Sequence, residues 1–142
     1  MIHKGHHCAW NTHYHLVFPV KYRKALLTDG VSKELKEISK EIEERYDIET
    51  EQIGCDGNHI HILCSFHPKY SIGAVIRTYK SITARQLFLK FPEIKKSLWK
   101  GEFWSDGYYV STVGEKGNWS TVEQYVKNQG KDTGESLQLT LW

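Results

Sequence analysis

Two histidines separated by one residue, in His59-Ile60-His61-Ile62, are the first feature of this chain with a chemical use. Successive side chains of a strand leave opposite faces, so both imidazoles project from one face while Ile60 and Ile62 enter the other. Such a pair is a two-toothed ligand for a metal ion; the competing reading is of polar residues on the exposed side of a sheet. Tyr125 and Gln129 stand four residues apart, the spacing that places two side chains on one helix face. Gln129 then offers a carbonyl oxygen as a third ligand. For Tyr125 the competing role is packing beside Val122 and Val126. Two imidazoles and an amide are neutral, so a bound divalent ion keeps its full charge and can polarise a phosphate oxygen. Mixed nitrogen and oxygen ligation with open positions suits Mg²⁺ or Mn²⁺ better than a closed zinc site.

These residues need elements to position them. Thr12 to Phe18 alternates, with Tyr14, Leu16 and Phe18 on one side and His13, His15 and Val17 on the other, as a strand does. From Val31 to Tyr46 the apolar positions Val31, Leu35, Ile38, Ile42 and Tyr46 follow the period of an amphipathic helix. Two extended runs, Ile48 to Cys55 and His59 to Phe66, flank Asp56-Gly57-Asn58, residues that supply the positive φ of a tight hairpin. Ser71 caps a second helix running towards Leu89, with a stripe of Ile72, Val75, Ile76, Tyr79, Ile82 and Leu89, and Pro92 marks its end. An irregular stretch from Lys95 to Gly107 leads into a fourth strand, Tyr108 to Val113, and then a link bracketed by Gly114 and Gly117. The capping box Ser120-Thr121-Val122-Glu123 opens a last helix that carries Tyr125 and Gln129 and closes at Gly130; the alternating tail Leu137 to Trp142 is left unplaced. The order predicts an α+β, ferredoxin-like domain: an antiparallel sheet of about four strands with helices mainly on one face, spanning residues 1–142.

Composition narrows the class. At 142 residues, 39% hydrophobic and 25% charged, the chain has the makeup of one soluble globular domain, and no apolar run approaches the ~20 residues of a membrane span. Met1 to Trp10 has no apolar segment of the kind that directs secretion, so a cytoplasmic protein is expected. Cys8, Cys55 and Cys64 lack C-x-x-C spacing and are expected to be free thiols. A net charge of +2 means that any surface for a polyanion must be a local patch. His3, His6 and His7 read as part of a mobile N-terminal arm rather than a metal site.

The chain resembles the single-tyrosine HUH transposases of small bacterial and archaeal insertion sequences, the TnpA type. The resemblance is carried by Lys21-Tyr22-Arg23, His59-Ile60-His61, Phe103-Trp104-Ser105 leading into Tyr108-Tyr109-Val110, and Tyr125-Val126-Lys127-Asn128-Gln129. It implies that His59, His61 and Gln129 bind the metal and that Tyr125 attacks a DNA phosphodiester. It also implies a 5′-phosphotyrosine intermediate, single-stranded DNA with hairpin ends as substrate, and a homodimer. In the family the tyrosine helix can complete the partner's site, a movement that the Gly114 to Gly117 link would permit.

Lys21, Arg23, Lys24, Arg77, Lys80 and Arg85, with Trp99, Phe103 and Trp104, form a mixture suited to neutralising a backbone and stacking on bases. Two rival functions remain at this level: a domesticated relative or nickase acting on repeat DNA, and a non-catalytic nucleic-acid-binding module. The second lacks support from any stretch like the RNA-binding signature K/R-G-F/Y-G/A-F-V-x-F/Y.

Overall fold

The computed structural model describes residues 2–98 and 101–113. Its first element is a hairpin rather than the mobile arm expected from the sequence: β1 (His3–Gly5) pairs antiparallel with β2 (Cys8–Trp10). The cause lies far along the chain. The His3 ring stacks on Trp10, Trp10 also meets His67, His3 Nε2 lies 3.0 Å from Glu49 Oε1, and Cys8 Sγ lies 3.3 Å from His67 Nε2. His6 and His7 are left exposed at the turn.

Four longer strands make the main sheet. β3 (His13–Pro19) precedes α1 (Asp29–Arg45), which is capped by Thr28 and buries Val31, Leu35, Ile38 and Ile42 at the predicted spacing. β4 (Ile48–Cys55) and β5 (His59–Phe66) form the predicted hairpin, with Gly57 at φ +62°. The turn is tied to neighbouring loops: Val20 N donates to Asn58 O at 2.8 Å and Leu27 N to Gly57 O at 2.9 Å. A bulge at Glu51, between Thr50 and Gln52, was not legible in the sequence. It explains why Ile48 and then Ile53, an odd number of residues apart, both pack into one core.

α2 (Ile72–Lys90) begins as predicted, with Ser71 Oγ accepting from Ala74 N at 3.1 Å. Its end departs from the expected stripe, because Leu87 is buried and Leu89 is exposed. At 3.6 residues per turn Leu87 and Leu89 lie roughly 80° to either side of Tyr79, and the buried arc of α2 passes through Thr83 to Leu87. Pro92 ends α2, but it also occupies the first turn of α3 (Pro92–Ser97), so the stretch read as irregular from Lys95 opens inside a helix. A proline costs nothing there, since the first-turn N–H has no helical partner to lose.

The last described strand, β6 (Tyr109–Val113), starts one residue later than predicted. Sheet order is β4-β5-β3-β6 with every neighbouring pair antiparallel, the ferredoxin-like arrangement expected for this α+β chain. Leu16, Phe18, Ile60, Ile62 and Cys64 face the core shared with Val75, Ile76 and Tyr79 of α2 and the apolar side of α1. Each such side chain, fully buried, contributes about 1.5–3 kcal/mol. Val17 and Leu63 are buried just as fully on the other face. The thiols of Cys8, Cys55 and Cys64 are free, and burial pushes those of Cys55 and Cys64 above the ordinary range. Among the described residues no helix is long and apolar enough to cross a membrane. The expected Ser120 to Gly130 helix, its Gly114 to Gly117 link, the Leu137 to Trp142 tail and Trp99 lie outside the described residues.

Candidate functional site

β5 places His59 and His61 on the sheet face opposite the helices, as the alternation required. The reading that left them on an exposed sheet surface does not hold: His59 is 3% exposed and His61 0%. Their rings stand edge to face with centroids 5.0 Å apart. His59 opens β5 opposite Pro19, and His61 sits opposite Val17 on one side and Gly54 on the other.

Each ring is held through its Nδ1. His59 Nδ1 donates to Asn58 Oδ1 at 2.8 Å, so its lone pair lies on Nε2. That Nε2 is buried without a hydrogen-bond partner among the described residues, and Asp56 Oδ2 stands 3.5 Å away. Burial lowers the His59 pKa, Asp56 raises it in part, and the charge of Arg23 lowers it further. His61 Nδ1 lies 2.8 Å from Nε2 of His15, whose pKa burial lowers to about 4. A neutral ring with its lone pair on the unprotonated nitrogen is what a metal requires of histidine; His59 meets that requirement with His61 beside it, so the pair fits a divalent ion. Among the described residues no group of three or more His, Cys, Asp or Glu is placed to hold a metal, so the pair needs a ligand of another kind or from another part of the chain. Tyr125 and Gln129 lie outside the described residues.

The turn after β3 reaches this site. Tyr22 and Arg23 both have positive φ, at 58° and 52°, which costs a non-glycine residue roughly 1–2 kcal/mol each. The result is an exposed Tyr22 ring, and an Arg23 whose charge His59 feels. Neither the strain nor the contact of His15 with His61 was legible in the sequence; the only signal for His15 was its place in the same alternation as Val17.

The basic and aromatic set divides under the structure. Phe103 and Trp104 are 1% and 5% exposed, and Trp104 Nε1 donates to Thr83 Oγ1, so they are core residues and not stacking platforms. Lys21 pairs with Glu102 at 2.9 Å, and Lys24 Nζ donates to Ser97 O. Lys80 donates to the carbonyls of Ser105, Asp106 and Gly107, which removes it from the candidates for DNA contact. Arg23, Arg77 and Arg85 are exposed. Arg77 lines an open groove of about 810 Å³ between α2 and the 101–106 segment, away from the histidine face.

The model of one protein family, described as "Transposase IS200 like", matches residues 8–129. The ISDra2 transposase TnpA of Deinococcus radiodurans is 30% identical over 126 residues, 89% of each chain. The transposase for insertion sequence element IS200 of Salmonella typhimurium is 30% identical over 135 residues, 95% of this chain and 88% of that one. A crystal structure of a chain described as a transposase from D. radiodurans R1 superposes with a TM-score of 0.71 at 31% identity, covering 89% of this chain and 96% of the other. A REP-associated tyrosine transposase bound to a REP hairpin gives a TM-score of 0.63 over 92% of this chain and 73% of that one, at 12% identity, a likeness of fold alone.

Proposed function

Because the chain belongs to the IS200-like transposase family, we propose that it cleaves and rejoins single-stranded DNA at the ends of an insertion sequence, using Tyr125 as nucleophile and a Mg²⁺ or Mn²⁺ ion held by His59, His61 and Gln129. The observation that carries this reading is the buried histidine pair, with His59 turned so that Nε2 bears its lone pair. Support for the remaining two residues comes from the family match, which extends through Tyr125 and Gln129.

A divalent ion held by His59, His61 and Gln129 would supply Lewis-acid polarisation of a phosphate oxygen. The Tyr125 oxygen forms the new bond to phosphorus and the bond from phosphorus to the 3′ oxygen breaks. The phenol gives up its proton, against an unperturbed pKa of about 10, and the departing 3′ oxygen gains one. The 5′-phosphotyrosine keeps the phosphodiester's bonding, so attack by a 3′-hydroxyl reverses the step and joins strands without ATP. In this reading residues 1–142 act as one domain, two copies form a homodimer, and the substrate is cytoplasmic DNA with folded hairpin ends.

The test is incubation of the full chain with single-stranded DNA carrying a hairpin, with Mg²⁺ or Mn²⁺, followed by a denaturing gel. A covalent adduct that disappears with EDTA and with Tyr125→Phe is expected. Cleavage that survives Tyr125→Phe would overturn the assignment of the nucleophile. Binding with no adduct under any metal would favour a non-catalytic module.

A further inference from the structure

His15 lies in β3 on the face that carries His61, its ring nearly parallel to the His61 ring at 18° with centroids 5.1 Å apart and the Tyr109 ring edge-on behind it. The 2.8 Å between His15 Nε2 and His61 Nδ1 is a hydrogen bond, so one proton lies between the two nitrogens. It has two possible owners, with opposite consequences. If His15 donates, the proton of neutral His61 sits on Nε2 and blocks the nitrogen that a metal needs. If His61 donates, its Nε2 carries the lone pair.

We infer that His15 is a positioning residue for the metal site: its Nε2 accepts the Nδ1 proton of His61 and holds His61 in the tautomer that ligates through Nε2. This rests on the metal reading proposed above. A parallel in the same strand supports it, since the His59 Nδ1 proton is already committed to Asn58 Oδ1 at 2.8 Å. Both members of the pair are then set the same way, each by a neutral acceptor behind its Nδ1. Acceptors in this position fix ring orientation as well as tautomer, and losing one lowers metal affinity about 10–100-fold. The bond also accounts for a histidine at 8% exposure in a strand whose neighbour on the same face, Val17, is apolar.

The direct test is nitrogen-15 NMR of the imidazoles in the full-length metal-free protein near neutral pH, repeated with Mg²⁺. The expected result is a proton on His61 Nδ1 and none on His61 Nε2, with His15 protonated at Nδ1 only, before any metal is added. A proton on His61 Nε2 in the metal-free protein overturns the inference, and this measurement needs no variant. A second arm titrates Mn²⁺ by calorimetry into His15→Leu, which has no acceptor, and His15→Gln, which retains a carbonyl. The leucine variant should bind about 10–100-fold more weakly while glutamine recovers most of the affinity. Equal affinities in both variants, weakened or not, overturn the inference, because a role in packing alone would not separate them. If the wild-type chain takes up neither ion, the metal reading itself fails, a result distinct from an unexpected tautomer in a protein that does bind.

Discussion

At the scale of the residue, two imidazoles on one sheet face are kept neutral by burial, and this has a consequence for stability. His15 falls from 6.5 to about 4, and His59 is lowered in the same direction by its own burial. The unfolded chain takes up a proton near pH 6.5 that the folded chain refuses until lower pH, so the stability is fully present above that value. It is lost as pH falls from 6.5 towards 4, and for His15 alone the loss amounts to about 3 kcal/mol. Urea unfolding of the metal-free protein at pH 7.5 and pH 5 should show the part of this loss that falls between those values, about 2 kcal/mol from His15. In His15→Leu the difference between the two pH values should shrink by most of that amount; an unchanged pH dependence would mean that the ring is not held neutral. The facing of His59 and His61 was readable from a two-residue period, but their burial was not, because period says which side a residue takes and not what lies on that side.

At the scale of the element, the hairpin of β4 and β5 was legible to the residue because Asp56-Gly57-Asn58 announces its turn and the strands on either side are long. The bulge at Glu51 was not, since an extra residue in one strand is visible only against its partner. Lys80 shows the same limit in α2. Its position on the helix marked it as a cation for DNA, yet it reaches across to three consecutive carbonyls and fastens the segment that feeds β6. Lys80→Met should therefore destabilise the fold by about 1–3 kcal/mol, the cost of leaving acceptors without their donor. The urea midpoint should drop while the salt dependence of DNA binding stays as in the wild type. A reduced salt slope at unchanged stability would return Lys80 to the DNA surface.

At the scale of the whole molecule, a net charge of +2 conceals an uneven distribution. Three lysines of the basic set, Lys21, Lys24 and Lys80, bond to groups within the protein, and Arg77 and Arg85 on α2 are exposed at the surface. If single-stranded DNA tracks the groove beside α2, Arg77→Gln removes one phosphate contact. The slope of log affinity against log salt should then become shallower by about 0.7. Binding measured by fluorescence anisotropy across a salt series gives this slope, and an unaltered value would place the phosphate path on another face.

What the sequence determined by itself was the order β3, α1, β4, β5, α2, β6, the direction in which the His59 and His61 side chains leave β5, and the α+β class, all of which follow from periods of two and 3.6 residues and from turn chemistry within a few positions. Its motifs also carried the family. Tertiary structure alone decided that the N-terminal histidines belong to a hairpin, that Phe103 and Trp104 fill the core, that Lys80 is a fastening, and that His15 stands behind His61. Each of these depends on a partner that folding brings close from elsewhere in the chain: 46 residues separate His15 from His61, and 21 separate Trp104 from Thr83. Local pattern records what a residue prefers, and only the packed sheet and helices determine what it meets.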